Sequence, residues 1–394
     1  MNRAVLVVNV LAMGLCVFGR QLETAGAAGD LPRLEDAKLD TFLTEVYGKR
    51  PVERPAELSF ADLYPPDTFE RNPAKGPKRK IDAKRRIMIC RYKGPFGEDS
   101  FRFTVFLPKD AKGPVPAYLL ICNRNPGRNI DPWRVEQTGF WPAEEIVDRG
   151  YAAIAFWNDE IAPDCYSSEY AFKAGVFRCF EDPSKPRAAD AWGTLSAWAW
   201  GASRIMDWIA TEPAIDAKHV AIVGHSRGGK AALIAGITDR RFAMAVSNGS
   251  GCGGAKLYRA DLPESEHIHQ IRSSVAYWFC GNFAKYEQRD GELPFDQHQW
   301  LSLMAPRLLY VASGTLDHWA GPAGEKLAAD LARPAWGDRG NVDVGYHVRE
   351  GKHDLTAYDW RKFMDFTDAH GWRGNRGSDL AGGVRVVGFG AAVW

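Results

Sequence analysis

Four short apolar runs constrain this chain most: PAYLLIC (Pro116 to Cys122), YAAIAFW (Tyr151 to Trp157), HVAIVG (His219 to Gly224) and RLLYVAS (Arg307 to Ser313). Each run is continuous rather than alternating, so a strand built from it carries apolar side chains on both faces and must be covered on both. Segments at helical spacing separate the runs, and WGTLSAWAWGASRIMDWIATE (Trp192 to Glu212) leads directly into HVAIVG. RRIMICRY and SFRFTVFLP precede them as a pair of early strands, and VGYHVRE follows late in the chain. The pattern predicts a mostly parallel sheet between two helical layers, a three-layer α/β/α sandwich.

The chain has 394 residues, 45% of them hydrophobic, enough to bury a large core. Fifty basic against 49 acidic residues leave a net charge of +1, which calls for neither nucleic acid nor an anionic membrane as partner. The basic run KGPKRKIDAKRR (Lys75 to Arg86) is expected to be a solvated segment before a strand. At the N-terminus, one arginine, an apolar run from Ala4 to Phe18 and small residues from Ala25 to Gly29 follow the order of a secretory signal. The run is short for a membrane span. Residues 1–28 are therefore expected to be removed, leaving residues 29–394 as one periplasmic or secreted domain, with residues 30–80 as a loop-rich arm. Nothing in the mature chain then calls for a membrane, and a monomer is expected. Six of the seven cysteines remain after removal, which permits disulfides without giving their connectivity. No CxxC pair and no cysteine–histidine cluster has zinc spacing, so no metal is expected.

HVAIVG runs into Gly224-His225-Ser226-Arg227-Gly228, and KAALIAGI follows at helical spacing. G-x-S-x-G between a strand and a helix places the serine on a sharp turn with its hydroxyl exposed above the sheet, and the N–H of the next residue faces a developing oxyanion. A nucleophilic serine needs a base and an orienting acid. In α/β-hydrolases the chain order is serine, acid, histidine. His353, after one strand and before a helical pattern, lies where the base belongs; His219 and His225 come too early, His347 lies within a strand and His370 beyond the last helix. Asp317, in the loop after RLLYVAS, is the expected acid, with Glu325 as the alternative.

The segments GHSRGGKAAL, SNGSGCGG, YWFCGNFAKY, LPFDQH, APRLLYVASGTLDHWAGPAGE and GKHD, in this order, resemble the bacterial glucuronoyl esterases of carbohydrate esterase family 15 over roughly residues 85–370. The resemblance implies an α/β-hydrolase fold and cleavage of the ester between a glucuronoyl carboxyl on xylan and a lignin alcohol, with no cofactor. It implies Ser226 as nucleophile, His353 as base, Arg227 at the oxyanion and Lys230 on sugar hydroxyls. Trp319 would lie against the sugar ring, and Glu266 (or Glu264, two residues away) would accept hydroxyl hydrogen bonds. One departure bears on the acid. Many members of the family carry the triad glutamate after the strand that follows the nucleophile helix, yet residues 245–254 hold no Asp or Glu, which leaves Asp317. The resemblance also implies a Cys252–Cys280 disulfide, and Cys165 and Cys179 are placed to close a loop at the pocket rim.

Other functions remain compatible with the motif. An acetyl xylan or feruloyl esterase would keep Ser226, Asp317 and His353 without needing Lys230 and Trp319. A serine peptidase of this fold would bring a propeller or large cap, of which there is no repeat signature. A non-catalytic carbohydrate-binding protein would have no need of all three triad residues.

Overall fold

The structure is a computed structural model and describes residues 31–51, 54–71 and 79–373. The expected signal sequence and the C-terminal tail lie outside the described residues. A ten-stranded sheet forms the centre: β1 (Glu57–Asp62), β2 (Asp67–Arg71), β3 (Ile81–Gly94), β4 (Gly97–Pro108), β5 (Val115–Cys122), β6 (Ala152–Trp157), β7 (Ile215–His225), β8 (Met244–Asn248), β9 (Leu308–Gly314) and β10 (Val344–Arg349). The strand order is β1-β3-β4-β6-β5-β7-β8-β9-β10, with β2 paired to β3. From β6 to β10 neighbouring strands run parallel; β1 to β4 are antiparallel, and β4 joins the rest antiparallel to β6.

The apolar runs fall as the central strands, and their two faces explain the layers. In β5, Leu119 and Ile121 enter one core, while Tyr118, Leu120 and Cys122 enter the other. In β7, Ile222 goes with the first set, and Ala221 and Val223 with the second. Successive side chains of a strand point to opposite faces, so a run apolar throughout feeds two cores. Helices α2 (Thr194–Ile209), α3 (Arg227–Thr238) and α4 (Pro322–Ala332) cover the first face; α1 (Ala143–Asp148) and α5 (Ala357–Ala369) cover the second. All residues of α2 are buried, including Trp198 and Trp200 at full burial.

Two expectations are corrected at the N-terminal side. Residues 30–80 are not only a loop-rich arm: β1 and β2 extend the sheet, and Phe42, Val46 and Tyr47 are fully buried in the first core. Their spacing puts them on one side of a short helical turn, a signal masked by the proline and charge around it. Tyr47 Oη donates to the Gly253 carbonyl at 3.1 Å and accepts from Gln297 Nε2 at 3.0 Å. The basic run likewise enters β3 rather than stopping before it. Arg85 is buried between the Phe69 and Trp133 rings, at 4.0 and 4.2 Å, and pairs with Asp67; Arg86 binds Asp62 and Glu212. Charges at alternate faces of a strand found carboxylates on β1, β2 and the loop before β7, which a composition count does not foresee.

The cysteines give a third correction. Cys90, Cys122, Cys165, Cys179, Cys252 and Cys280 are all free thiols, so neither the Cys252–Cys280 bridge nor a Cys165–Cys179 loop closure is present. The sulfurs have other partners: Cys280 Sγ donates to the Thr44 carbonyl at 3.4 Å, Cys165 Sγ to the Ser167 carbonyl at 3.5 Å and Cys179 Sγ to the Gly175 carbonyl at 3.8 Å. Burial pushes the thiols of Cys252 and Cys280 above the ordinary range.

The segment after β5, residues 123–142, crosses the sheet end beside the nucleophile turn and is held by a buried ion pair. Arg134 Nε and its terminal nitrogen bind the two oxygens of Glu144, at the start of α1, at 2.7 and 2.8 Å, with both side chains essentially inaccessible. Removing one member strands the other as a buried charge. Glu144→Ala should therefore lower unfolding free energy by about 3–5 kcal/mol in urea titrations, whereas the paired change Arg134→Met with Glu144→Leu should cost markedly less.

Candidate active site

Ser226 occupies the turn between β7 and α3 with φ +56° and ψ −128°, outside the ordinary regions for a non-glycine residue. The turn holds because its neighbours are small. A Cβ on Gly224 would lie 1.9 Å from the Gly228 carbonyl oxygen, and one on Gly228 would meet the Ile121 carbonyl at 3.0 Å. The Ser226 N–H donates to the Asn248 carbonyl at 2.8 Å, tying the turn to β8, while its own carbonyl accepts the first bonds of α3 from Gly229 and Lys230. The serine is half-buried, and the Arg227 N–H belongs to the first turn of α3, where backbone donors lack helical partners.

The expected base and acid meet. His353 Nδ1 lies 2.6 Å from Asp317 Oδ2; Asp317 is buried and the imidazole is 41% exposed. A buried carboxylate on Nδ1 puts the proton there and turns Nε2 outward as the acceptor. Gly249, at φ +52°, packs beside the pair: a Cβ there would be 3.0 Å from Asp317 Oδ2 and 3.4 Å from His353 Nδ1. The loop after β8 thus has no space for a side chain where it passes Asp317 and His353. His353 also packs against His225, the residue before the nucleophile, with ring centroids 4.3 Å apart.

Glu325, the alternative acid, does something else. Fully buried in the first turn of α4, it accepts from the N–H groups of Ser250 and Gly251 at 2.7 and 2.9 Å and from Ser313 Oγ at 2.6 Å. It fixes the loop after β8 whose Ser250 carbonyl accepts from Lys230 Nζ at 2.5 Å.

The remaining expected residues gather on the β8–β9 side. Lys230, one turn beyond Ser226 on α3, is buried and reaches Glu266 Oε2 at 3.5 Å. Trp319 is half-exposed and donates its indole N–H to Glu266 Oε1 at 3.1 Å. The Glu266 backbone is held as well, its N–H on the Trp319 carbonyl at 2.9 Å and its own carbonyl on Lys256 Nζ at 2.8 Å. Glu264 is exposed at φ +63° and takes no part in this cluster. The Arg227 guanidinium binds the Asn123 carbonyl at 3.0 Å and pairs with Asp164.

Sequence reasoning missed Asp164 and Trp278. Asp164, almost fully buried, also accepts from Tyr277 Oη at 2.6 Å and Trp278 Nε1 at 2.9 Å. The Trp278 ring centre lies 5.8 Å from both the Arg227 guanidinium and the Lys230 ammonium. Three chain segments far apart in sequence make this contact, so no local spacing announces it. The arrangement presents a serine hydroxyl, an oriented imidazole, backbone and guanidinium donors on the residue after the serine, and a polar and aromatic wall of Lys230, Glu266 and Trp319. Among the described residues no group of three His, Cys, Asp or Glu is placed to hold a metal, and no helix is long and apolar enough to cross a membrane.

Burial, against the pull of its hydrogen bonds, pushes the Glu325 carboxyl from 4.5 up to about 7. A folded-state value above the unfolded one means that this group's contribution to stability is full below about 4.5 and is lost as pH rises through about 7. Glu325→Gln keeps an acceptor for the two backbone N–H groups and removes the titration. The variant should show a flatter dependence of unfolding free energy between pH 5 and 8, with up to about 3 kcal/mol of the wild-type fall abolished in urea titrations.

A family model described as glucuronyl esterase, fungi, matches residues 97–340. A carbohydrate esterase of an unknown prokaryotic organism is 33% identical over 90% of this chain and 88% of its own length. A 4-O-methyl-glucuronoyl methylesterase of Podospora anserina is 32% identical over 57% of this chain, which spans about half (47%) of that relative's length. Among solved structures, a glucuronoyl esterase from Solibacter usitatus superposes with a TM-score of 0.73 at 32% identity, covering 86% of this chain and 92% of the other. A promiscuous esterase of carbohydrate esterase family 15 from a marine bacterial metagenome superposes with a TM-score of 0.70 at 30% identity, covering 86% and 91%. With the α/β-hydrolase sheet, the serine turn and the Asp317–His353 pair in the order that this fold requires, the chain belongs to the glucuronyl esterase family of carboxylic ester hydrolases.

Proposed function

We propose that this protein is an exported serine esterase that cleaves esters of glucuronic acid, including its 4-O-methyl form, on xylan with lignin alcohols. The observation that carries this reading is the position of the Lys230–Glu266–Trp319 cluster one helical turn from Ser226: a buried ammonium, a carboxylate and a half-exposed indole joined by hydrogen bonds. An acetyl group has no ring, and a feruloyl group has one phenolic hydroxyl on a flat aromatic ring, so neither offers the several ring hydroxyls that such a cluster can bind. A uronate does, and its ring has an apolar face for the indole.

In the proposed cycle, His353 Nε2 takes the proton of Ser226 as its hydroxyl attacks the ester carbonyl. The Asp317 carboxylate stabilises the imidazolium. Charge on the carbonyl oxygen is met by the Arg227 N–H and guanidinium, the latter held in place by Asp164 and the Asn123 carbonyl. His353 returns the proton to the departing alcohol, and water then releases glucuronate from Ser226 by the same steps in the second half-reaction. Export is supported by the order of charged, apolar and small residues in the first 29 positions.

The experiment is hydrolysis of benzyl glucuronate beside an acetyl ester and a feruloyl ester, by wild type, Ser226→Ala and Lys230→Met. Wild type is expected to turn over the glucuronate ester, with a loss of at least about 10³-fold in Ser226→Ala. Lys230→Met should raise KM for the glucuronate ester without a matching change for the acetyl ester. Hydrolysis confined to the acetyl or feruloyl substrate would keep the serine mechanism and overturn the uronate assignment.

A further inference from the structure

His353 is fixed by Asp317 at one nitrogen, which leaves the ring a pivot. The second constraint comes from His225, whose ring plane is tilted 44° from that of His353 at 4.3 Å between centroids. His225 is fully enclosed, and both of its nitrogens are engaged. Nδ1 lies 2.6 Å from Asn248 Oδ1, and a terminal nitrogen of Arg124 lies 3.2 Å from Nε2. A guanidinium only donates, so Nε2 is the acceptor and the single ring proton sits on Nδ1, shared with the amide carbonyl of Asn248. The other terminal nitrogen of Arg124 binds Asp354 Oδ1 at 2.6 Å, on the residue directly after the base. The Phe140 ring supports this guanidinium from 4.5 Å and meets His225 edge-on at 5.9 Å.

We propose that Arg124 is a positioning residue for the proton transfer: it ties the residue before the nucleophile to the residue after the base, and by occupying Nε2 of His225 it leaves His353 as the one ring of the adjacent pair that takes the proton. The proposal rests on the assignment of Ser226 and His353 made above.

Three observations support it. The base loop is held from below by Arg349, whose guanidinium binds the carbonyls of Lys352 and Asp354 at 2.7 and 2.6 Å, but that bond fixes backbone and leaves the side of the loop to Arg124. The charged and titratable groups around the two rings are Arg124 from the loop after β5, Asp317 from the loop after β9, Arg349 at the end of β10 and Asp354 beside the base. Of these, Arg349 is matched by Asp359 at 3.0 Å. Finally, burial first, then the neighbouring His353 and Arg124, hold His225 well below the ordinary imidazole range. Each half-reaction places a positive charge on His353; a second cation stacked on it would oppose that charge.

The test is kcat and KM for benzyl glucuronate from pH 4 to 9 in Arg124→Met, Arg124→Lys and Asp354→Asn, with Ser226→Ala as control. Arg124→Met is expected to lower kcat about tenfold, a part of the roughly 10²–10⁴-fold that a well-placed acid–base group contributes, with little change in KM. It should also move the acidic limb of kcat/KM to higher pH, because His225 loses the cationic neighbour that holds it neutral. Arg124→Lys restores the charge and one donor and should return the limb toward wild type. Asp354→Asn removes an anion beside the base and should move the limb to lower pH. Wild-type kcat with an unmoved limb in Arg124→Met overturns the proposal, as does a uniform loss of kcat with an unmoved limb that lysine does not rescue. Should Arg124→Met fail to fold, an unmoved limb in Asp354→Asn overturns it. Full activity in Ser226→Ala would instead place the failure in the assignment of the nucleophile.

Discussion

The close approach of Gly224 to Gly228 is the constraint on which the site depends. It allows β7 to turn within one residue into α3 and leaves Ser226 in a conformation that a larger neighbour would forbid. Because β7 lies between β5 and β8 in the sheet, that turn has loops on both sides. The loop after β5 brings Asn123 and Arg124, the loop after β8 brings Gly249 to Gly251, and the loops after β9 and β10 bring Asp317 and His353. In parallel sheets all these loops leave from the carboxyl ends of the strands, which is why Arg124 and Asp354, 230 positions apart, meet beside the Ser226 turn.

The cations near Ser226 share a second property: each is already engaged. Arg227 has Asp164 and a backbone carbonyl, Lys230 has Glu266 and the Ser250 carbonyl, Arg124 has Asp354, and Arg349 has Asp359. Paired groups have little freedom to reorient when charge develops on a substrate oxygen. A field built in advance of the reaction stabilises that charge without rearrangement, which is the main source of electrostatic catalysis in sites of this kind. The partners of these cations are themselves held. Asp164 binds two aromatic side chains, and Glu325 fixes the loop that presents the Ser250 carbonyl.

The parts of this site that are legible in the sequence are those written in short-range pattern and chain order. The central strands are continuous apolar runs, the serine turn is flanked by a strand and a helix, and Asp317 and His353 follow in the order the fold demands. The acid-free stretch from residue 245 to 254 was informative as well, and the structure supplies a reason at its centre, where Gly249 leaves no space for a side chain beside the Asp317–His353 pair. What stayed hidden depends on contacts between distant segments. Asp164, Trp278 and the Arg124–His225 link have no spacing signature. The lead-in was misjudged because Phe42, Val46 and Tyr47 are three apolar positions in a stretch dominated by proline and charge. The cysteine pairing that the resemblance implies is absent because each sulfur lies against a carbonyl or in a core rather than facing a second sulfur.

The buried lead-in has a consequence for the order in which the molecule assembles. Tyr47 contacts Gly253 and Gln297 across separations of 206 and 250 residues, and Phe42 packs against Phe295 and Trp300. During synthesis these aromatic side chains emerge long before the surfaces that receive them. Strands β1 to β8 are synthesised in between, so the lead-in cannot make these contacts until residues 253–300 have been made. The loop after β8 is clamped from the outside only at that stage. One of the earliest segments to be made thereby braces the loop after β8, whose Ser250 carbonyl accepts from Lys230.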